Sequence, residues 1–259
     1  MVINIHAGHN APNKVASGAV GYIDESEQAR LVKNAVMGYL KQQGHTVYDC
    51  TCDNGTSVKD VLNKIVTQCN THNVDIDVSI HFNAYERTKS DNQIKGTEVL
   101  VYSKKSKSVK YADRTLKAIS QLGFTNRGLK ERPDLTFLKK TDNPAMLIEV
   151  CFVDDEDDYM LYQNLGIQKI AKAITYGITG EKVPETIITN KITEVTDTAF
   201  RVKIACDVLN VRTGPGTKYP VKTEVKQGEV YTITEVSLNK WGKLLSGAGW
   251  INLKYTKKL

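Results

Sequence analysis

The sequence predicts an α/β fold, a mostly parallel twisted sheet flanked by helices, followed by a second, smaller all-β barrel. Three observations carry this expectation. The chain has 259 residues, more than one hydrophobic core usually serves. Its first two thirds alternate between period-2 apolar runs and helical stripes, the pattern of strands joined by crossover helices. From about Phe200 the stripes cease, and short β-type runs separated by glycine turns take over.

Val2-Ile3-Asn4-Ile5-His6 forms the first strand. A helix over 25–43 follows, with Ala29, Val32, Val36, Tyr39 and Leu40 on one face and Gly44 placed to end it. His45–Asp49 is a second strand. A helix over 57–72 presents Val58, Val61, Leu62, Ile65, Val66 and Cys69. Asp75–Phe82 alternates strictly, with Ile76, Val78, Ile80 and Phe82 on one face and His81 on the other. A strand at 96–103, a helix over 106–121, short strands near 135–139 and 146–152, and a helix over 155–178 complete the unit. Asp154-Asp155-Glu156-Asp157-Asp158 lacks the spacing of a calcium loop and suits the N-terminus of that last helix.

This divides the chain into 1–180, a polar, Thr-rich linker at 181–198, and 199–259. The composition, 41% hydrophobic and 25% charged, is that of a soluble globular protein, and no apolar run is long enough for a membrane span. The N-terminus has neither the basic region nor the apolar core of a signal peptide, so synthesis in the cytoplasm is expected. Five cysteines at irregular spacing read as reduced thiols. Charge is uneven: residues 1–180 hold 22 Lys and Arg against 21 Asp and Glu, and residues 181–259 hold 13 against 8. The basic end favours an anionic surface, and a cell wall fits better than nucleic acid, because no basic helix or aromatic-basic interleaving accompanies it. Oligomeric state is not legible.

Four polar residues stand out. His9 lies on the loop leaving the first strand and His81 near the carboxyl end of its own, the sheet end where α/β folds gather ligands. For a third ligand Asp24, Glu25 and Glu27 compete. Asp24 and Glu27 are accounted for as an N-cap and its capping-box partner, whereas Glu25 falls on the stripe that faces the sheet, where an unpaired carboxylate is costly. Glu25 is therefore the expected ligand and Glu27 the fallback. Two histidines and a carboxylate are the donor set of a catalytic zinc, which keeps a fourth position open. Glu149 interrupts the apolar strand Ala145–Phe152, and a general base poised by burial explains it better than a salt bridge. His45 and His72 sit at helix ends with no metal-like neighbour.

The runs Ile3-Asn4-Ile5-His6-Ala7-Gly8-His9-Asn10, Ser79-Ile80-His81-Phe82-Asn83-Ala84 and Met146-Leu147-Ile148-Glu149-Val150 resemble the motifs of the zinc-dependent N-acetylmuramoyl-L-alanine amidases over about the first 180 residues. His6 departs from the aspartate that many relatives carry there. Leu209-Asn210-Val211-Arg212-Thr213-Gly214-Pro215-Gly216 with Gly249-Trp250-Ile251 resembles the bacterial SH3-like domain. The resemblance implies Zn2+ on His9, Glu25 and His81, with Glu149 catalytic, and cleavage of the amide between N-acetylmuramic acid and L-alanine in peptidoglycan. It also implies an SH3-like domain that binds the cell wall. Arg127 is a candidate contact for a substrate carboxylate. A phage or prophage endolysin acting after release, through a holin or lysis, fits the absent signal peptide, and a mother-cell or autolytic host amidase is the alternative. A zinc peptidase cutting wall peptides and a non-catalytic wall-binding protein are the rival functions.

Overall fold

The computed structural model describes residues 1–183, 200–237 and 240–259. The expected linker at 181–198 lies almost wholly outside the described residues. The chain divides into two compact units, Met1–Pro184 and Glu185–Leu259.

In the first unit the order is β1 (Val2–Ala7), α1 (Glu25–Gln42), β2 (Thr46–Asp49), α2 (Val58–Cys69), β3 (Ile76–Asn83), β4 (Thr97–Val101), α3 (Val109–Ser120), β5 (Asn126–Glu131), α4 (Thr136–Lys140), β6 (Ala145–Phe152) and α5 (Glu156–Thr179). One six-stranded sheet runs β2-β1-β3-β6-β4-β5. All neighbours are parallel except β4 and β6. The carboxyl ends of β1, β3 and β6 therefore share one sheet edge with the starts of β4 and β5.

The two sheet faces differ. Ile3, Ile5, Ile76, Val78, Ile80, Met146 and Ile148 are all fully buried on one, and α1 lays Ala29, Val32, Val36, Tyr39 and Leu40 among the buried core residues. The opposite face carries Asn4, His6, Asp77 and Ser79, buried as well, beside an apolar cluster in which Val61, Ile65 and Cys69 of α2 meet Phe137 and Leu138 of α4, with Leu147 of the sheet. A central strand covered on both faces has no solvent side, so the alternation of β3 separates an apolar face from a polar buried one. Along α2, Val58 is 62% exposed and lies outside the stripe expected of it.

Two elements differ from expectation. Residues 136–140 form a helical turn, α4, where a strand was expected, and the strand there is β5. β5 reads Asn-Arg-Gly-Leu-Lys-Glu, an edge strand with one neighbour and no fully buried residue, so it has no apolar alternation to betray it. The helix over 155–178 is two segments merged at Gly166, which has φ 72°. Its N-terminus is capped by Asp155, which accepts from the Asp158 amide. Asp158 turns back to accept from the Phe152 and Gly96 amides, tying the ends of β6 and β4 together.

The second unit is all antiparallel: β7 (Phe200–Ile204), β8 (Val208–Arg212), β9 (Val221–Lys226), β10 (Val230–Val236), β11 (Trp241–Leu244), β12 (Trp250–Asn252) and β13 (Thr256–Lys258), in the order β13-β7-β10-β11-β12-β8-β9. Its core is Val202, Ile204, Leu209, Val211, Val225, Ile233, Leu244 and Ile251. The glycine turn after β8 has a packing reason: a Cβ on Gly214 would stand 2.4 Å from the Tyr219 ring. Among the described residues no helix is long and apolar enough to cross a membrane.

Candidate metal and catalytic site

The site grows from the shared sheet edge. β1 ends at Ala7, and His9 takes φ 62°, a left-handed conformation that costs a non-glycine residue free energy and recurs at functional sites. Glycine precedes it for a steric reason, since a Cβ on Gly8 would stand 2.1 Å from the His81 ring. His81 projects from the end of β3, so its imidazole and that of His9 meet edge to face, 4.8 Å between centroids.

Glu25 is the first residue of α1, whose N-cap is Asp24, accepting from the Glu27 amide. Both Glu25 oxygens are used. Oε1 accepts from His81 Nδ1 at 2.9 Å and from the Phe82 amide at 3.1 Å. Oε2 accepts from the Ala19 amide at 3.0 Å and lies 3.1 Å from His9 Nε2. The side chain is only 3% exposed, and burial pushes its carboxyl pKa up. The hydrogen bonds and charges of His81 and His9 outweigh that burial and hold it far below the usual carboxylate range.

One atom from each of His9, Glu25 and His81 falls within 4.8 Å of the others, and this is the only such cluster among the described residues. Two imidazoles and an ionised carboxylate are the donor types a divalent metal such as zinc takes. His9 is one-third exposed while Glu25 is enclosed, so the cluster has one side open to solvent. The residues fit a metal on chemistry and on convergence. The expected ligand Glu25 lies in the cluster, and the fallback Glu27 does not.

Glu149 stands beside His81, its register partner across the β3–β6 pair. Its Oε2 is enclosed and has no hydrogen-bond partner. Burial raises its pKa well above the ordinary value, the negative charges of Glu25 and Glu98 add to the rise, and Arg132 opposes it. A carboxyl perturbed in this way, beside a metal-type cluster, is a candidate acid–base group. The salt bridge that would make Glu149 structural is absent among the described residues.

His6, on the buried polar face, is not among the ligands. Its Nδ1 donates to the Ala7 carbonyl, its ring packs edge-on to Phe137, and burial brings its pKa down to about 3. Arg127 is engaged with Glu98, at 3.0 Å, and lies over the Phe152 ring. Sequence reasoning did not single out Glu98, which faces Glu149 across the β4–β6 pair, although it too interrupts a buried strand, Thr97–Val101.

The chain matches the N-acetylmuramoyl-L-alanine amidase family over residues 3–180 and the bacterial SH3 domain over 207–257. An uncharacterized protein of Clostridium perfringens (strain 13 / Type A) is 33% identical over 254 residues, covering 93% of this chain and 71% of that one. Among solved structures, the catalytic domain of an endolysin targeting Clostridia Difficile is 28% identical with a TM-score of 0.63, covering 71% of this chain and 99% of that one. The catalytic domain of the N-acetylmuramoyl-L-alanine amidase CwlV of Bacillus (Paenibacillus) polymyxa var. colistinus is 26% identical with a TM-score of 0.56, covering 69% and 96%. The chain belongs to the N-acetylmuramoyl-L-alanine amidase family. It is a peptidoglycan amidase that carries a bacterial SH3 domain behind its catalytic unit.

Proposed function

We propose that this amidase is zinc-dependent, with His9, Glu25 and His81 holding Zn2+ and Glu149 as its catalytic acid–base. The convergence of those three side chains around one open point, with an unpartnered carboxyl next to them, carries the reading. Zinc held there supplies a Lewis acid for the scissile carbonyl. Glu149 takes the proton from the attacking water and passes it to the departing alanine amine. Glu25 presents one carboxylate oxygen to each imidazole, and Gly8 leaves the room that the His81 ring fills. Mass spectrometry of digested muropeptides tests this: a new L-alanine amine is expected, and a chelator should abolish it. A new amine further along the peptide would instead make the enzyme a wall peptidase, and lysis that persists in chelator would remove the metal.

The second unit is the wall tether. Residues 199–259 carry 11 Lys and Arg against 4 Asp and Glu, have their own core, and contain none of the catalytic residues. A fragment of 199–259 is expected to sediment with Gram-positive cell walls, less so as salt rises and screens exposed charge. A fragment of 1–180 should cleave soluble muropeptides yet clear intact walls more slowly for want of the tether. A folded 199–259 fragment that sediments with no wall preparation would deprive the unit of this role. The likeness to an endolysin catalytic domain supports a phage or prophage endolysin that reaches the wall after release from the producing cell.

A further inference from the structure

We propose that Arg127 and Lys130, gathered by Glu98, form a subsite for a free carboxylate on the second residue of the peptide stem, the one after the scissile alanine amide. The proposal rests on the amidase activity and on the site residues assigned above. Strand order lays the elements out in a row: His81 on β3, Glu149 on β6, Glu98 on β4, and Arg127 and Lys130 on β5. His81, Glu149, Glu98 and Arg127 stand at or near the sheet edge where the metal cluster lies, and Lys130, further along β5, reaches it through Nζ on Glu98.

Glu98 is nearly buried and is over-neutralised. Its Oε2 accepts from Arg127 Nε at 3.0 Å and from Lys130 Nζ at 2.8 Å, while its Oε1 accepts from Asn83 Nδ2 at 3.1 Å. One cation and the amide would suffice to offset one carboxylate. The second cation leaves an excess positive charge beside Glu149. Both cations also keep donors in reserve. Arg127 uses Nε on Glu98, and Nη1 reaches the Lys95 carbonyl at 3.4 Å; Nη2 has no partner among the described residues. Lys130 Nζ spends one of its three donors on Glu98. The two side chains are 35% and 43% exposed, so those donors are reachable. The Phe152 ring under the guanidinium and the bond to Glu98 fix its plane, which is what a fork needs to meet a carboxylate.

Distance selects the ligand. The cations meet at Glu98 on β4, two strand spacings from His81 on β3, about 10 Å at roughly 4.8 Å each. A stem peptide leaving the scissile amide covers about 3.5 Å per residue. Its second residue, with the length of an acidic side chain, arrives at these cations, whereas the first falls short. Glu98 is thus a positioning residue, and Arg127 and Lys130 are the contacts that read the stem.

The test compares kcat/KM of the full-length, metal-loaded enzyme on two muramoyl dipeptides. One has a free carboxylate on the second residue and the other has it converted to carboxamide. The free form should be preferred about tenfold or more, as the loss of one hydrogen bond between charged groups implies. The preference should lie in KM rather than kcat. It should fall towards one in Arg127→Gln/Lys130→Gln, and several-fold in Lys130→Gln alone, an exposed change that leaves the fold intact. A wild-type ratio near one overturns the subsite, as does a ratio that survives in the folded double variant. Should neither substrate release an alanine amine, the amidase reading itself would fall instead.

Discussion

Glu149→Gln is expected to lower turnover by about a hundredfold or more, the usual worth of acid–base help, while fold and metal content stay as they were. The reason lies in what Glu149 lacks. Its Oε2 is enclosed with no donor, so no hydrogen bond is lost there when the carboxyl becomes an amide. Burial and the charges of Glu25 and Glu98 raise its pKa in the folded chain. A carboxyl whose folded pKa is raised costs stability once pH climbs above the range of the unfolded group, and the cost persists at neutral pH. Glutamine removes that burden. The thermal midpoint of the variant at pH 7 should therefore equal or exceed that of the parent. A residue kept for structure would behave oppositely, losing stability and retaining rate. Wall clearing, bound zinc and melting temperature measured together decide it, and wild-type clearing by Glu149→Gln would sink the assignment.

The two carboxylates of the proposed site stood out in the sequence because each broke a local rule. Glu149 is a carboxylate in a strand that is otherwise apolar, and Glu25 sits on the buried stripe of α1 after Asp24 has already capped the helix. Neither has a sufficient local explanation, which is what points to chemistry. Arg127 and Lys130 broke no rule. Charged residues on an edge strand are ordinary, and their meaning arises only when β5 is laid beside Glu98 of β4, a tertiary fact with no periodicity. The same cause hid β5 itself: strand patterns are written by burial, and β5 has little. The turn over 136–140 misled for the reverse reason, because Phe137 and Leu138 are buried against α2 as a strand's residues would be.

Removing any one of His9, Glu25 or His81 by substitution with alanine should lower bound zinc well below one per chain, since two remaining protein donors hold the ion weakly. The alanine change at Glu25 also withdraws the acceptor of the Phe82 and Ala19 amides, so it carries a structural cost of its own, about 1–3 kcal/mol for each donor left buried without a partner. Glu25→Gln separates the two effects. Glutamine keeps the shape and one acceptor oxygen but brings no charge and puts an amide NH2 where His81 Nδ1 or His9 Nε2 now meets an oxygen. Metal analysis should find zinc largely lost from Glu25→Gln although the protein remains folded. Glu27→Ala, outside the cluster, should keep a full equivalent. The opposite pattern, with zinc retained in Glu25→Gln and lost from Glu27→Ala, would move the third ligand two residues along α1 and leave the buried carboxylate of Glu25 as a hydrogen-bond anchor for two histidines.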